Sequence, residues 1–177
     1  YRMNKEKFTF ELIDKYTPDI VIKNLLKEIE RDTKGYVIGN IDRYDGPIDF
    51  YTKRGGGLAA VLGTMQQMSE MADIQQDLGE QDPEQHKFEV FLTVKGLEHY
   101  KYRMMFVDYG TISYPVTIIL NEDLAVAYSG RRKDVFTIES MKQLEEMMDT
   151  ILNSDMMLSF IQSLINESLR QEMKEIS

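Results

Sequence analysis

The chain contains no cysteine and no tryptophan, and only two of its 177 residues are histidines. Without cysteine, disulfides and zinc–thiolate sites are excluded. Most nucleophilic and acid–base catalysis draws on histidine or cysteine, so the composition favours a binding protein over an enzyme. A chain without cysteine also fits a reducing compartment, and we predict a cytoplasmic location.

Long apolar runs and catalytic or metal-binding motifs are missing as well. The longest strongly apolar run, residues 114–120, is far shorter than the ~20 residues that span a bilayer, and the first residues lack the pattern of a signal peptide. Asp42, Asp45 and Asp49 surround one turn, but they do not have the spacing of an EF-hand. The sequence therefore predicts no cofactor, no metal site and no membrane partner.

Acidic residues outnumber basic residues by 30 to 21, which gives a formal net charge of −9. Nucleic-acid binding relies on Lys and Arg side chains that neutralise phosphates, so this charge argues against a nucleic-acid partner. The simpler interpretation of the acidity is solubility. The alternative is an acidic surface that attracts another protein with a basic surface.

Hydrophobic periodicity predicts a single α+β domain over residues 1–177. Strands come mostly in adjacent runs, which favours an antiparallel and curved sheet. Helices are predicted at 18–32 and 58–78, followed by two C-terminal helices that begin near residues 141 and 154; the central helix and the C-terminal pair are expected to cover the sheet. Residues 122–128 fit either a helix or a strand. Strands are predicted at 7–13, 36–42, 48–52, 88–94, 100–107, 114–120 and 135–138.

A glycine triplet stands just before the predicted central helix and follows two basic residues. Free N–H groups at a helix start bind anions, and glycine lets an anion approach the backbone. The triplet lacks the spacing of a phosphate-binding loop, so a simple strand-to-helix joint is the main alternative. The candidate anion site consists of Lys53, Arg54, Gly55, Gly56 and Gly57.

Tyrosines on the predicted strands are candidates for a protein-binding surface. Tyrosine adds a large contact area at little entropic cost, although it is also an ordinary strand residue. Acidic residues on the same hairpin would serve a basic partner. The candidate binding residues are Tyr44, Tyr51, Glu98, Tyr100, Tyr102 and Asp108.

Three classes of function remain open. The first is a non-catalytic protein-binding module, such as an immunity or inhibitor protein, a secretion chaperone or a phage accessory protein. The second is an enzyme or small-ligand protein with a site between sheet and helices, for which Asp42, Asp45, Asp49 and His99 are the candidates. The third is a homo-oligomeric component, since many of the 12 methionines lie at helical spacing at 65–71 and 141–157, where they form either a core or a homodimer surface.

Overall fold

The structure, a computed structural model, describes residues 7–48 and 84–176. The predicted helix at 58–78 lies outside the described residues, and so does the predicted strand at 48–52 except for residue 48, which is not in a strand. The described elements are α1 (Pro18–Asp32), β1 (Val37–Arg43), β2 (His86–Val94), β3 (Leu97–Tyr109), β4 (Val116–Leu120), α2 (Glu122–Ser129), β5 (Val135–Ile138), α3 (Met141–Leu152) and α4 (Asp155–Ile176).

Helix α1 has the limits that the sequence predicts. Pro18 occupies its first turn, and Asp19 meets the positive end of the helix dipole. Thr17 has the backbone conformation of an N-cap, although its side chain makes no capping hydrogen bond. Beyond the last turn, Gly35 adopts a φ of 82°, which glycine tolerates and which ends the helix. The apolar face of α1 is buried, as its spacing of apolar residues predicts.

The five strands form one open antiparallel sheet in the order β1-β2-β3-β4-β5, which confirms the predicted α+β class. The β2–β3 hairpin is its longest pairing and runs from His86 opposite Tyr109 to Val94 opposite Leu97. Gly96 turns the chain between them with a φ of 84°. A shift of register between Val90 and Phe91 marks a bulge, which increases local twist.

The core lies between one face of the sheet, here called the inner face, and helices α1, α3 and α4. Strand side chains such as Val37, Leu92 and Val107 meet Ile22 and Leu26 of α1 there. The methionines of α3 and the first turn of α4 join the same core. On the opposite or outer face, a second set of buried apolar side chains lies outside this core: Phe91, Phe106 and Ile119.

The ambiguous segment after β4 is helical. Asn121 caps α2 by accepting a hydrogen bond from the Leu124 N–H at 2.9 Å, and Gly130 ends it with a φ of 71°. Ser140 caps α3, since its hydroxyl accepts from the Gln143 N–H at 3.2 Å, and the Gln143 side chain accepts from the Glu139 N–H at 2.8 Å. Helix α4 continues to Ile176, the last residue that the structure describes.

The last turns of α4 are fastened to the β2–β3 turn by polar contacts. The buried Ser168 hydroxyl donates to the carbonyl oxygen of Lys95 at 2.5 Å. One carboxylate oxygen of Glu172 accepts from the Tyr36 hydroxyl, and the other lies 3.3 Å from the Lys95 ammonium. Among the described helices, none is long and apolar enough to cross a membrane.

The strand predicted at 7–13 is wrong: none of these residues belongs to a strand. Their alternation is real, but a strand also needs a neighbour that pairs with its backbone. No strand of the described chain lies beside the segment, and its apolar side chains face solvent.

Candidate interaction surface

Residues 7–13, here called the arm, carry unusually exposed apolar side chains outside any helix or strand, and the chain bends at Glu11, whose N–H donates to the Thr9 hydroxyl at 3.3 Å. Phe8 is 75% exposed, Phe10 98% and Leu12 78%, and Ile13 is exposed as well. In an extended chain, alternate side chains point the same way, so Phe8 and Phe10, which both precede the bend, share one side when their segment is extended. Within the described part of the chain, the arm makes no backbone–backbone hydrogen bond. The backbone of residues 8–10 is therefore available for pairing with another strand.

The residues that follow the arm tie it to the domain. A carboxylate oxygen of Asp14 accepts a hydrogen bond from the Met141 N–H at 3.0 Å, at the start of α3. The Tyr114 hydroxyl donates to the carbonyl oxygen of Tyr16 at 3.1 Å. Asp14 adopts a φ of 53°, a conformation that aspartate tolerates better than most residues. These contacts fix where the arm leaves the domain, which is just beyond the C-terminal end of β5.

The two edge strands of the described sheet, β1 and β5, differ in how well they could pair with a further strand. Strand β1 contains Gly39 and ends in Asp42 and Arg43, and the Asn40 amide donates to the Ile38 carbonyl of the same strand at 3.1 Å. Charges and such local hydrogen bonds protect an edge from further pairing. Strand β5, with the sequence VFTI, carries no charge and pairs only with β4 among the described strands. It is the edge better suited to accept another strand.

The outer face carries a compact ion-pair network centred on Glu89, which is only 7% exposed. One carboxylate oxygen accepts from the Lys101 ammonium at 2.6 Å. The other accepts from Nε and Nη2 of Arg103 at 3.0 and 2.9 Å. The register of the two strands explains why Glu89 contacts Arg103. Arg103 of β3 pairs with Phe91 of β2, and Phe91 is two residues after Glu89 on the same strand. The network joins the two strands of the hairpin.

Aromatic rings also contact the two cations of this network. The Lys101 ammonium lies 4.2 Å from the centroid of the Phe91 ring. The Arg103 guanidinium lies 5.1 Å from the ring centroids of both Tyr44 and Phe106. These distances allow cation–π attraction, which is strongest where water is excluded. Both carboxylate oxygens of Glu89 have cationic partners, so the network stabilises the pairing of β2 with β3.

A second polar contact links α1 to the sheet. The Tyr109 hydroxyl donates to a carboxylate oxygen of Asp19 at 2.6 Å. Burial raises the pKa of Asp19, but hydrogen bonds from Tyr109, from Thr17 and from two backbone N–H groups lower it, and the pKa lies below its usual value. Burial, followed by the bond to Asp19, raises the pKa of Tyr109 above its ordinary value. Both shifts favour a carboxylate that accepts from a neutral phenol.

We expect Tyr109→Phe to lower the free energy of unfolding by about 1–2 kcal/mol near neutral pH, since it removes a hydrogen bond to a charged group. Because the pKa of Asp19 is depressed in the folded state, its stabilising contribution is present above about pH 4 and is lost as the pH falls through the folded pKa. The difference between variant and wild type should therefore shrink below about pH 4. Urea unfolding of both proteins at several pH values measures this difference in the free energy of unfolding.

Tyr114→Phe is the matched control. Tyr114 donates to a neutral carbonyl oxygen, and burial together with the charges of Asp14, Glu145 and Asp19 raises its pKa to about 12. Its loss should cost about 1 kcal/mol or less, without dependence on pH in the acid range. An equal pH dependence in both variants would contradict the role assigned to Asp19.

Among the tyrosines predicted to bind a partner, the three that the structure describes lie on different faces of the sheet. Tyr44 packs on the outer face, where its ring lies 4.8 Å from that of Phe106. Tyr102 packs against Phe160 of α4, with ring centroids 4.4 Å apart, and Tyr100 is half-buried against the core, where burial raises its pKa. Tyr51 lies outside the described residues.

The acidic binding candidates are separated as well. Glu98 is exposed near the β2–β3 turn. Asp108 is half-buried at the far end of β3; burial raises its pKa, while a hydrogen bond from Gln85 and the charge of Lys87 act in the opposite direction. The glycine triplet and its basic neighbours, residues 53–57, lie outside the described part of the chain.

The residues proposed for an acid–base site are exposed where they are described. Asp42 and Asp45 lie at the end of β1 and in the loop beyond it, and His99 lies near the start of β3. Asp49 is outside the described residues. Across residues 7–48 and 84–176, no three His, Cys, Asp or Glu side chains are grouped so that they could hold a metal ion.

Comparison of the chain with models of protein families, with curated protein sequences and with solved structures gave no match.

Proposed function

We propose that this protein is a non-catalytic protein-binding module whose contact with its partner is made by the arm. The observation that carries the proposal is the high exposure of Phe8, Phe10 and Leu12, three large apolar side chains within five residues. Contiguous exposed apolar surface on a folded domain marks an interaction site more often than isolated apolar residues do. The role fits each member of the class expected from the sequence: inhibitor, secretion chaperone and accessory protein.

Strand addition is the mode of binding that the arm supports best. An extended segment that pairs with a sheet edge gains affinity from main-chain hydrogen bonds, while alternate side chains fill pockets and give specificity. Burial of an apolar side chain of this size contributes roughly 1.5–3 kcal/mol. Ordering the backbone costs roughly 1–2 kcal/mol per residue, which offsets much of that gain. We therefore expect a partner of moderate affinity whose binding depends on the apolar side chains.

Affinity capture from an extract of the native host tests this proposal, with the wild-type chain and the variant Phe8→Ser/Phe10→Ser as baits. We expect the variant to recover at least tenfold less of the partner, because the burial of both rings is lost. Both side chains are exposed in the free protein, so the substitutions leave the fold intact.

Leu158→Ser is the matched control bait. Leu158 lies on α4 and is 52% exposed, so its replacement removes an exposed apolar side chain outside the arm. The control should recover the partner as the wild type does. Equal recovery by the arm variant would contradict the proposal. Recovery of nothing by any bait, including a second, differently tagged copy of the chain, would contradict it too.

A further inference from the structure

We infer that the partner of the arm also docks on the domain, at an apolar and acidic surface beside the base of the arm, with a segment that carries both apolar and basic side chains. This inference rests on the proposed function and adds the chemistry of the partner to it. Three features carry it: apolar side chains exposed at one end of the domain, carboxylates beside them that no described cation pairs with, and the continuity of this surface with the arm.

Four exposed apolar side chains lie at the end of the domain where the arm is attached. The Tyr114 hydroxyl donates to the Tyr16 carbonyl oxygen, which holds the loop between β3 and β4 against the segment before α1. Ile112 belongs to this loop and is 75% exposed, while Ile13 and Ile20 are 66% and 41% exposed. Grouped apolar side chains on a surface mark an interaction site, whereas single ones are ordinary. The four residues Ile13, Tyr16, Ile20 and Ile112 are here called the end patch.

Hydrogen bonds hold the backbone that carries the end patch. The Asp14 carboxylate accepts from the Met141 N–H at 3.0 Å, and the Asp19 carboxylate accepts from the Tyr109 hydroxyl at 2.6 Å. Each of these aspartates is adjacent in sequence to an isoleucine of the end patch. A surface on a fixed backbone loses little conformational entropy when a partner binds, unlike the arm. The end patch therefore adds affinity at a lower entropic cost than the arm.

Carboxylates beside the end patch make its electrostatic potential negative. Burial raises the pKa of Tyr114, and the charges of Asp14, Glu145 of α3 and Asp19 raise it further. No described lysine or arginine shifts this pKa in the opposite direction. Within the described part of the chain, none of the three carboxylates lies within ion-pair distance of a lysine or arginine.

These charges select among apolar partners. A basic side chain that reaches Asp14 or Glu145 gains an ion pair, and an acidic one is repelled. Lys15 is next to Asp14 in the chain, but its ammonium lies over the Tyr16 ring, 5.3 Å from the centroid. An exposed ion pair contributes about 0.2–1 kcal/mol, and burial of one apolar side chain contributes up to about 3 kcal/mol. Apolar contacts therefore provide most of the affinity, and charge provides the choice of partner.

Titration of the full-length chain with two synthetic peptides, KVKFKVK and EVEFEVE, tests the inferred chemistry. The peptides share their apolar side chains and differ in the sign of their charged ones. We expect KVKFKVK to shift the amide NMR signals of the end patch, and EVEFEVE to bind at least about fivefold more weakly. A chain of net charge −9 attracts basic peptides over its whole surface, so the location of the shifts carries the test.

Glu145→Lys and Glu146→Lys are a matched pair of charge reversals. Both positions are exposed on α3, and both substitutions change the net charge by the same amount. The charge of Glu145 acts on Tyr114 beside the end patch, and that of Glu146 does not. We expect Glu145→Lys to weaken the binding of KVKFKVK by about five- to tenfold, and Glu146→Lys by less than about twofold.

Four results would overturn the inference. The shifts caused by KVKFKVK are absent or lie outside the end patch, or EVEFEVE binds as well as KVKFKVK does. The two charge reversals weaken binding equally. Vesicles of phosphatidylcholine and phosphatidylserine bind through the end patch, which would assign it to a membrane surface instead of a protein segment.

Affinity capture with the bait Ile20→Ser/Ile112→Ser separates this inference from the proposed function. Both side chains are exposed, so the substitutions leave the fold intact. We expect this bait to recover at least about threefold less of the partner than the wild type does. Full recovery by this bait, together with loss by Phe8→Ser/Phe10→Ser, would reject the end patch and leave binding by the arm in place. Full recovery by both baits would contradict the inference and the proposed function alike.

Discussion

Replacing Glu89 with glutamine is expected to lower the free energy of unfolding by about 2–3 kcal/mol. The substitution keeps the shape of the side chain and removes its charge, which leaves Lys101 and Arg103, two neighbouring cations of β3, without the carboxylate that they share. Removal of one partner from a fully buried ion pair costs about 3–5 kcal/mol. Lys101 and Arg103 keep 41% and 27% of their side-chain surface exposed, so water offsets part of the loss.

Urea unfolding measures the effect, and Glu98→Gln is its control. Glu98 lies on the same strand but is exposed, so its neutralisation should change stability by less than about 0.5 kcal/mol. If Glu89→Gln is no more destabilising than Glu98→Gln, the network does not stabilise the sheet. A midpoint that shifts with an unchanged m value would show that the loss lies in the native state.

Gly39→Ala is expected to destabilise the protein by about 3 kcal/mol, since its added methyl group enters a packed interface. A Cβ atom at position 39 would lie 2.8 Å from both Cβ and Cδ2 of Leu26, and Leu26 is 1% exposed. The Cβ of Leu26 cannot rotate away, because it is attached to the backbone of α1. The helix must therefore move away from β1, which loosens the contact between them.

A double-mutant cycle with Leu26→Ala checks that this clash is the cause. Leu26→Ala alone should cost about 2–5 kcal/mol through the cavity it creates. In the double variant the Cδ2 contact is gone, while the contact with the Cβ of residue 26 remains, so only part of the clash is relieved. We expect the two costs to fall short of additivity by at least about 1 kcal/mol. Additive costs would mean that the Cδ2 contact contributes nothing to the clash.

Local sequence signals were sufficient for most elements of the described fold. The alternation at 88–94 and 100–107 predicts β2 and β3, and the capping residues before α1 and α3 predict where these helices begin. The same signal failed at 7–13. Alternation states which side chains share a side of an extended chain, but it does not state that a second strand lies beside it. Pairing is a tertiary property.

The candidate surfaces were less predictable for the same reason. Glu89 and Lys101 are 12 residues apart, and their contact depends on the bulge between Val90 and Phe91. No local sequence motif predicts this bulge. Tyrosine is a typical binding residue, yet the ring of Tyr102 packs against Phe160 of α4, more than fifty residues further along the chain. The Asp19–Tyr109 bond joins residues 90 positions apart and had no signal in the sequence.

The attachment of α4 to the β2–β3 turn has a consequence for the order of folding. Ser168 and Lys95 are separated by 73 residues, so their bond closes a long loop. Closing such a loop lowers the entropy of the chain, and the contact stabilises the protein only after the loop is closed. The hairpin itself is local and can form early. The final turns of α4 therefore settle last, once β4, β5 and α3 have brought the end of the chain back to the turn.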